Sequence, residues 1–308
     1  MKKQFSLFCF LLVVGTTLFQ SCKKDEGSTL PPQVGIFYSV VDKQAAFTAL
    51  TIGIDKWNWE FGDGQTSTEK NPVHVYKDGG YYKVTLVGTD SQGGTITSAA
   101  TAAVALTPLA LLTGDYTATG YDGKKWKLSA TYSGDIFANA DADFSIVEGP
   151  LPPGIFGNLG LGEIYDDTYT FYHDGKYVHD VKSDGASFGG VVNQMITNGG
   201  AGIVNPGPGY GLCTGKYTPQ SGATFTFVEK ENFAMPSVYG TDGIITYNGV
   251  STLDFSGTEF IGFLDYQRKI IVQEVTDSSM RLVVFMAASP DYFPANTHAL
   301  ILTFEVVK

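Results

Sequence analysis

A chain of 308 residues has room for two domains with real cores. It is 13% aromatic, only 17% Asp, Glu, Lys and Arg, and carries 37 glycines, which suits β-rich extracellular domains better than a helical cytosolic enzyme. A formal charge of −11 argues against nucleic acid as a partner, because no basic surplus exists to neutralise phosphates, and the acidity serves solubility instead.

The first 22 residues read as a secretory signal. Lys2 and Lys3 give a positive start, and the apolar run from Phe5 to Val14 is too short to span a bilayer. Leu18-Phe19-Gln20-Ser21-Cys22 resembles a bacterial lipobox, with the small residue before cysteine that signal peptidase II prefers. The resemblance implies that 1–21 is removed and that Cys22 is the lipid anchor, carrying enough acyl chains for stable membrane attachment. Lys23-Lys24-Asp25-Glu26 resembles the surface-export signal of Bacteroidetes lipoproteins, with an ordinary charged linker as the alternative. Residues 22–34 are then a lipidated tether holding the protein at the outer surface of the outer membrane. Cys213 is left as a lone, buried or semi-buried thiol, so no disulfide and no cysteine-rich metal site is expected.

Residues 35–107 carry the clearest pattern. Gln44 to Leu50 suits a strand. In the stretch WNWEFGDG, Trp57, Trp59 and Phe61 alternate, which on a strand puts all three on one buried face. Gly62-Asp63-Gly64 is a turn, and Tyr82, Val84 and Leu86 alternate again. Thr95 to Leu106 gives a last strand, with Thr107-Pro108 as the boundary. WxFGDG followed by PxHxY and GxYxVxL resembles the PKD domain, which implies an immunoglobulin-like β-sandwich acting as a spacer or interaction unit. His74 and Asp63 are read as structural, with no catalytic set around them.

Residues 108–308 read as a second all-β domain, a larger antiparallel β-sandwich or barrel (jelly-roll or lipocalin-like), with almost no helical periodicity. Trp126-Lys127-Leu128 is a strand with Trp126 in the core. Asp167 to Val181 is a hairpin; a two-residue Asp174-Gly175 turn would set Phe171 against Val178 and place Tyr172, Tyr177 and His179 together on the opposite face. Ser251–Phe255, Glu259–Leu264, Lys269–Val275, Met280–Ala287 and Ala299–Val307 read as a meander. Its last strand has Leu300, Leu302, Phe304 and Val306 on one apolar face. Glu148–Glu163 and Thr197–Gly222 are Gly/Pro-rich and too long for simple turns, a length that goes with functional or mobile loops.

The YDDTYTF…DGKY block at 165–177 and the LDFS…FIGF…IVQEVT block from Leu253 resemble PKD-containing Bacteroidetes lipoproteins that are similar to surface glycan-binding proteins of polysaccharide-utilisation (Sus-like) systems. This implies a non-catalytic protein that binds an oligo- or polysaccharide beside a SusC/SusD-like transporter, with no cofactor. Those relatives carry tryptophans before the YDD block, where this chain has Phe156. Tyr172, Tyr177 and His179 are the candidate glycan platform, since sugar recognition needs flat apolar faces beside hydrogen-bonding groups. Tyr165, Phe156 and Tyr210 would border it from the loops. A protein-binding adhesin is the alternative. A glycoside hydrolase is less favoured, because Asp166 and Asp167 would point to opposite sides of a strand; a pair distant in sequence stays open. Asp135, Asn139, Asp141 and Asp143 offer oxygen ligands for Ca²⁺, but not at EF-hand spacing, so no metal site is assigned.

Overall fold

The computed structural model describes residues 30–308. The expected leader, Cys22 and the charged tag after it lie outside the described residues. The chain is all-β: an immunoglobulin-like sandwich followed by a larger antiparallel sheet that curls into a half-barrel.

The first unit has seven strands: β1 (Gln33–Val41), β2 (Gln44–Ile52), β3 (Lys56–Glu60), β4 (Thr66–Ser67), β5 (Val73–Val75), β6 (Gly80–Thr89) and β7 (Thr95–Val104). Sheets β1-β2-β5 and β4-β3-β6-β7 enclose a core of Phe47, Trp59, Phe61, Tyr76, Val84 and Leu86. Trp59 and Phe61 are buried as the alternation expects, whereas Trp57 is half-buried, with Lys70 Nζ 5.3 Å over its ring. In the turn after β3, Asp63 Oδ1 accepts from Gln65 N at 3.0 Å. Gly62 has φ 84°, and a Cβ there would meet Lys83 O at 2.8 Å, so this turn requires glycine.

Thr107 caps a short helix α1 (Pro108–Thr113), its Oγ1 accepting from Ala110 N at 3.2 Å, with proline in the first turn where a missing N–H costs nothing. Then follow β8 (Lys124–Leu128), β9 (Asp135–Asn139), β10 (Ile146–Leu151), α2 (Ile155–Asn158), a 3₁₀ turn (Gly162–Tyr165), β11 (Thr168–Phe171), β12 (Tyr177–Asp180), β13 (Ala186–Gly190) and α3 (Val191–Asn198). The C-terminal part contains β14 (Ile203–Asn205), β15 (Leu212–Lys216), β16 (Phe225–Thr241), β17 (Ile244–Phe255), β18 (Ile270–Val275), β19 (Ser279–Met286) and β20 (His298–Val306). The three short helices among the described residues are eight residues or fewer each, too short to print a helical period on the sequence.

The main sheet runs β12-β11-β8-β20-β19-β18-β17-β16, with β9 and β10 continuing beside β20. Strand β20 organises it: one edge pairs β9 through His298–Ile301 and then β8 through Phe304–Val306, and the other pairs β19. Leu300, Leu302 and Phe304 enter one core with Trp126, Leu128, Phe171 and Leu282, while Ala299 and Ile301 enter a second with Phe233, Tyr247, Val283 and Phe285. A strand covered on both sides reads as a continuous apolar run, as ALIL does here. The expected strand Glu259–Leu264 does not form. Phe260, Ile261 and Phe263 are buried, but Gly262 at φ 74° breaks the chain, held so close to Phe304 that a Cβ would lie 2.6 Å from the ring.

Candidate functional site

The hairpin at the head of the candidate platform has a different register from the expected one. Tyr172 N donates to Lys176 O and Gly175 N to Tyr172 O, each at 3.0 Å, so the turn is a three-residue loop, His173 to Gly175, ending in glycine at φ 86°. Phe171 therefore pairs with Tyr177, and Tyr169 with His179. One residue of slip moves a whole set of side chains to the other face. Tyr177 and His179 turn inward beside Tyr169 and Phe171, 1% and 4% exposed, and Tyr177 Oη donates to Phe260 O at 2.6 Å. Tyr172 alone stays outside, half-buried, donating to Asp122 at 3.0 Å with Lys176 Nζ 4.5 Å over its ring.

The inward turn builds a buried ionic group absent from the sequence reading. His179 Nε2 lies 3.9 Å from Asp167 and Nδ1 lies 3.7 Å from Glu259, all three sealed from solvent. Ser187 Oγ donates to Asp167 at 2.7 Å, and Gln220 N donates to Glu259. Burial alone would push the imidazole down; the Asp167 and Glu259 carboxylates outweigh it and raise it. Burial raises Asp167, against the pull of His179 and Ser187. Two carboxylates distant in sequence thus do meet across one histidine. They approach opposite edges of the ring, and Ser187 faces the carboxylate rather than the imidazole, so the set lacks the order in which a serine nucleophile meets its base.

The two Gly/Pro-rich segments come together. Asn205 Nδ2 donates to Gly160 O across them. Phe156 is buried, packs on Phe188 at 4.8 Å, and donates its N–H to Tyr165 Oη at 3.3 Å. Tyr165 is half-buried behind it, and burial pushes its hydroxyl up to about 12. Tyr210 is 51% exposed and edges onto Phe137 at 5.7 Å. Of the six candidates, then, Phe156 and Tyr210 line one small pocket with Tyr165 behind it; Tyr172 stands apart, and Tyr177 and His179 are core.

A larger groove of about 630 Å³ opens elsewhere, on the outward face of β8, β20 and β19. Antiparallel register builds it. Lys127, Glu305 and Ser279 form one cross-strand row, and Ser129, Thr303 and Arg281 the next. Lys127 pairs with Glu305 at 3.3 Å, and Ser129 Oγ donates to Glu305 at 3.0 Å. Arg281 donates to Thr303 Oγ1 at 3.0 Å and Gly134 O at 2.8 Å, and its guanidinium lies 5.6 Å from the centre of the exposed Tyr132 ring. None of these residues was a sequence candidate. The available signal was the polar Thr303 and Glu305 interrupting an otherwise apolar β20.

The oxygen-rich 135–143 segment is dispersed. Asp135 turns inward, accepts from Thr303 N at 2.9 Å, and is pushed up to about 6 by burial. Asp141 caps its own turn through Ser145 N at 2.9 Å, and Asn139 binds Ser145 Oγ at 3.0 Å. No group of three His, Cys, Asp or Glu side chains among the described residues is placed to hold a metal ion.

Residues 39–105 match the PKD domain family, and this part of the chain is a PKD domain. The chain is 38% identical over 84 residues to collagenase ColQ1 of Bacillus cereus, covering 25% of itself and 9% of that protein. It thus spans about a tenth of the curated relatives it matches. The solved PKD1 domain of the Vibrio cholerae metalloprotease PrtV is 32% identical and covers 24% of this chain and 95% of its own, with a TM-score of 0.23. A structure described as "Structural basis for the promiscuous specificity of the carbohydrate-binding modules from the beta-sandwich super family" covers 91% of this chain and 93% of its own at 17% identity. Its TM-score of 0.26 gives that likeness no weight.

Proposed function

We propose that this protein is a surface lipoprotein, anchored through Cys22, that captures an oligo- or polysaccharide without covalent chemistry and passes it to a SusC/SusD-like uptake partner, with the PKD domain as spacer. The groove on β8, β20 and β19 carries the reading. Its 630 Å³ lies within the range of small-ligand clefts. Tyr132 supplies an apolar face for pyranose C–H groups, with Arg281 supporting the ring. The accessible hydroxyls of Thr131, Ser278 and Ser279 match a polyol, and the Lys127–Glu305 pair brings a donor and an acceptor with no net charge.

Calorimetry and affinity electrophoresis against β-glucans, mannans and host glycans test this. Binding that Tyr132→Ala weakens about tenfold, with no reducing ends released, is the expected result. Turnover would move the protein to the glycoside hydrolases. Cys22→Ser is expected to release the protein from membranes, and protease shaving of intact cells reads its surface display.

One observation favours a second reading, a protein-binding adhesin. The outer face of sheet β1-β2-β5 presents Phe37, Val41, Leu50, Ile52, Val73 and Val75, between 41% and 74% exposed. An apolar patch of this kind on a secreted domain marks a contact surface. Loss of cell-surface protein contacts in Phe37→Lys/Val75→Lys, with glycan binding absent in the parent protein, would favour that reading.

A further inference from the structure

We infer that the pocket beneath Tyr210 receives the acetamido group of an N-acetylated sugar. The inference rests on the glycan-binding reading but names a site separate from the groove. Leu300 lines this pocket from the core-facing side of β20, whereas Thr303 and Glu305 line the groove from the other side.

Size excludes a whole sugar ring. The pocket holds about 90 Å³, lined deep by Phe137, Leu151, Phe156, Leu212 and Leu300. An apolar cavity of ~150 Å³ takes a benzene ring, so this one takes a group of a few heavy atoms. A methyl group on a short planar linker fits that description, and a hydroxyl does not match the lining.

Polarity at the mouth narrows the choice. Glu148 and Tyr210 stand at the rim. No ion pair among the described residues involves Glu148. As a carboxylate it only accepts hydrogen bonds, with more lone-pair sites than the Tyr210 hydroxyl beside it can use. An amide N–H next to the buried methyl would donate to this exposed carboxylate. An O-acetyl ester has no such donor, a free amino sugar lacks the methyl, and a uronic acid would meet like charge.

The frame is built to hold this rim. Tyr210 has φ 58°, a left-handed conformation rare for an aromatic residue, and keeps its ring exposed at the pocket edge. Gly207, three residues earlier, has φ 49°, and a Cβ there would lie 2.6 Å from Leu212 O. The Asn205–Gly160 hydrogen bond fixes this loop to the other wall. A pyranose stacked on Tyr210 would then direct its 2-acetamido methyl inward and its N–H at Glu148.

Calorimetry on the full chain with N,N′-diacetylchitobiose, chitobiose (the free diamine) and cellobiose, which share one linkage, tests the assignment. The acetylated sugar is expected to bind at least about tenfold more tightly than either other sugar. Leu159→Trp, which fills the pocket mouth, should abolish that preference, and Glu148→Gln should reduce it. Circular dichroism confirms folding of each variant. Equal affinity for the three sugars, or a preference that survives Leu159→Trp, overturns the inference and leaves the groove reading standing. Absence of binding by any glycan overturns both. Saturation of the pocket by leucine-bearing peptides but not by the acetylated sugar would reassign it to protein recognition.

Discussion

His179 and Glu259 face each other at 3.7 Å with neither side chain reaching solvent. Asp167 stands at the far edge of the same ring, so one imidazole lies between two buried carboxyl groups. Removing a partner from such a group leaves charge stranded in a low dielectric, at a cost of about 3–5 kcal/mol. His179→Leu is expected to lose stability on that order in urea unfolding at pH 7. Asp167→Asn/Glu259→Gln in the same background should recover part of it, because no carboxylate then remains to be neutralised. A His179→Leu protein as stable as its parent would show that the cluster is already neutral.

The same group sets a pH dependence. The folded imidazole titrates above its unfolded value near 6.5. Its stabilising contribution is therefore complete below that value and is lost as pH rises through the folded one. A thermal melt series from pH 6 to 9 is expected to show a falling Tm in the parent and a flatter profile in the triple variant His179→Leu/Asp167→Asn/Glu259→Gln, which has no titrating group left in the cluster.

In the PKD domain the sign reverses. His74 Nε2 lies 2.7 Å from Asp63 Oδ2, and the imidazole stacks on Phe61 at 4.2 Å. Burial would raise Asp63, but His74 and the Gln65 N–H together hold it below its ordinary value. That contribution is present above the unfolded carboxylate range and fades as pH falls through the folded value. Asp63→Asn is expected to cost about 1 kcal/mol at pH 7 and progressively less towards pH 2, measured by denaturant titration.

The hairpin shows what a sequence withholds. Asp174-Gly175 announces a turn, but two- and three-residue loops both end in glycine, and only hydrogen bonding from Tyr172 to Lys176 chooses between them. The motif-rich PKD core and the apolar face of β20 were legible, since local periodicity dictates both. The groove was not: Ser129 and Glu305 are 176 positions apart and meet only because β8 and β20 pair in one register. The φ of 86° at Gly175 gives a direct check. Gly175→Ala is expected to cost roughly 1–2 kcal/mol, and nuclear Overhauser contacts between Phe171 and Tyr177 should report the register.

Asp265 supplies a second pH-dependent element. Its Oδ1 accepts from Tyr266 N at 2.7 Å, while Oδ2 is buried without a partner against Gly190, where a Cβ would lie 2.3 Å away. Burial pushes this carboxyl up to about 7. Folding therefore favours its neutral form: stability is full below the unfolded value near 4 and declines as pH rises through 7. At about 1.4 kcal/mol per pH unit the decline amounts to a few kcal/mol. Asp265→Asn preserves the shape without the charge. It is expected to match the parent at pH 4 and exceed it at pH 8, in paired unfolding titrations. Gly190→Ala has no such compensation, because its methyl would occupy the space of the carboxyl oxygen, and it should destabilise at every pH.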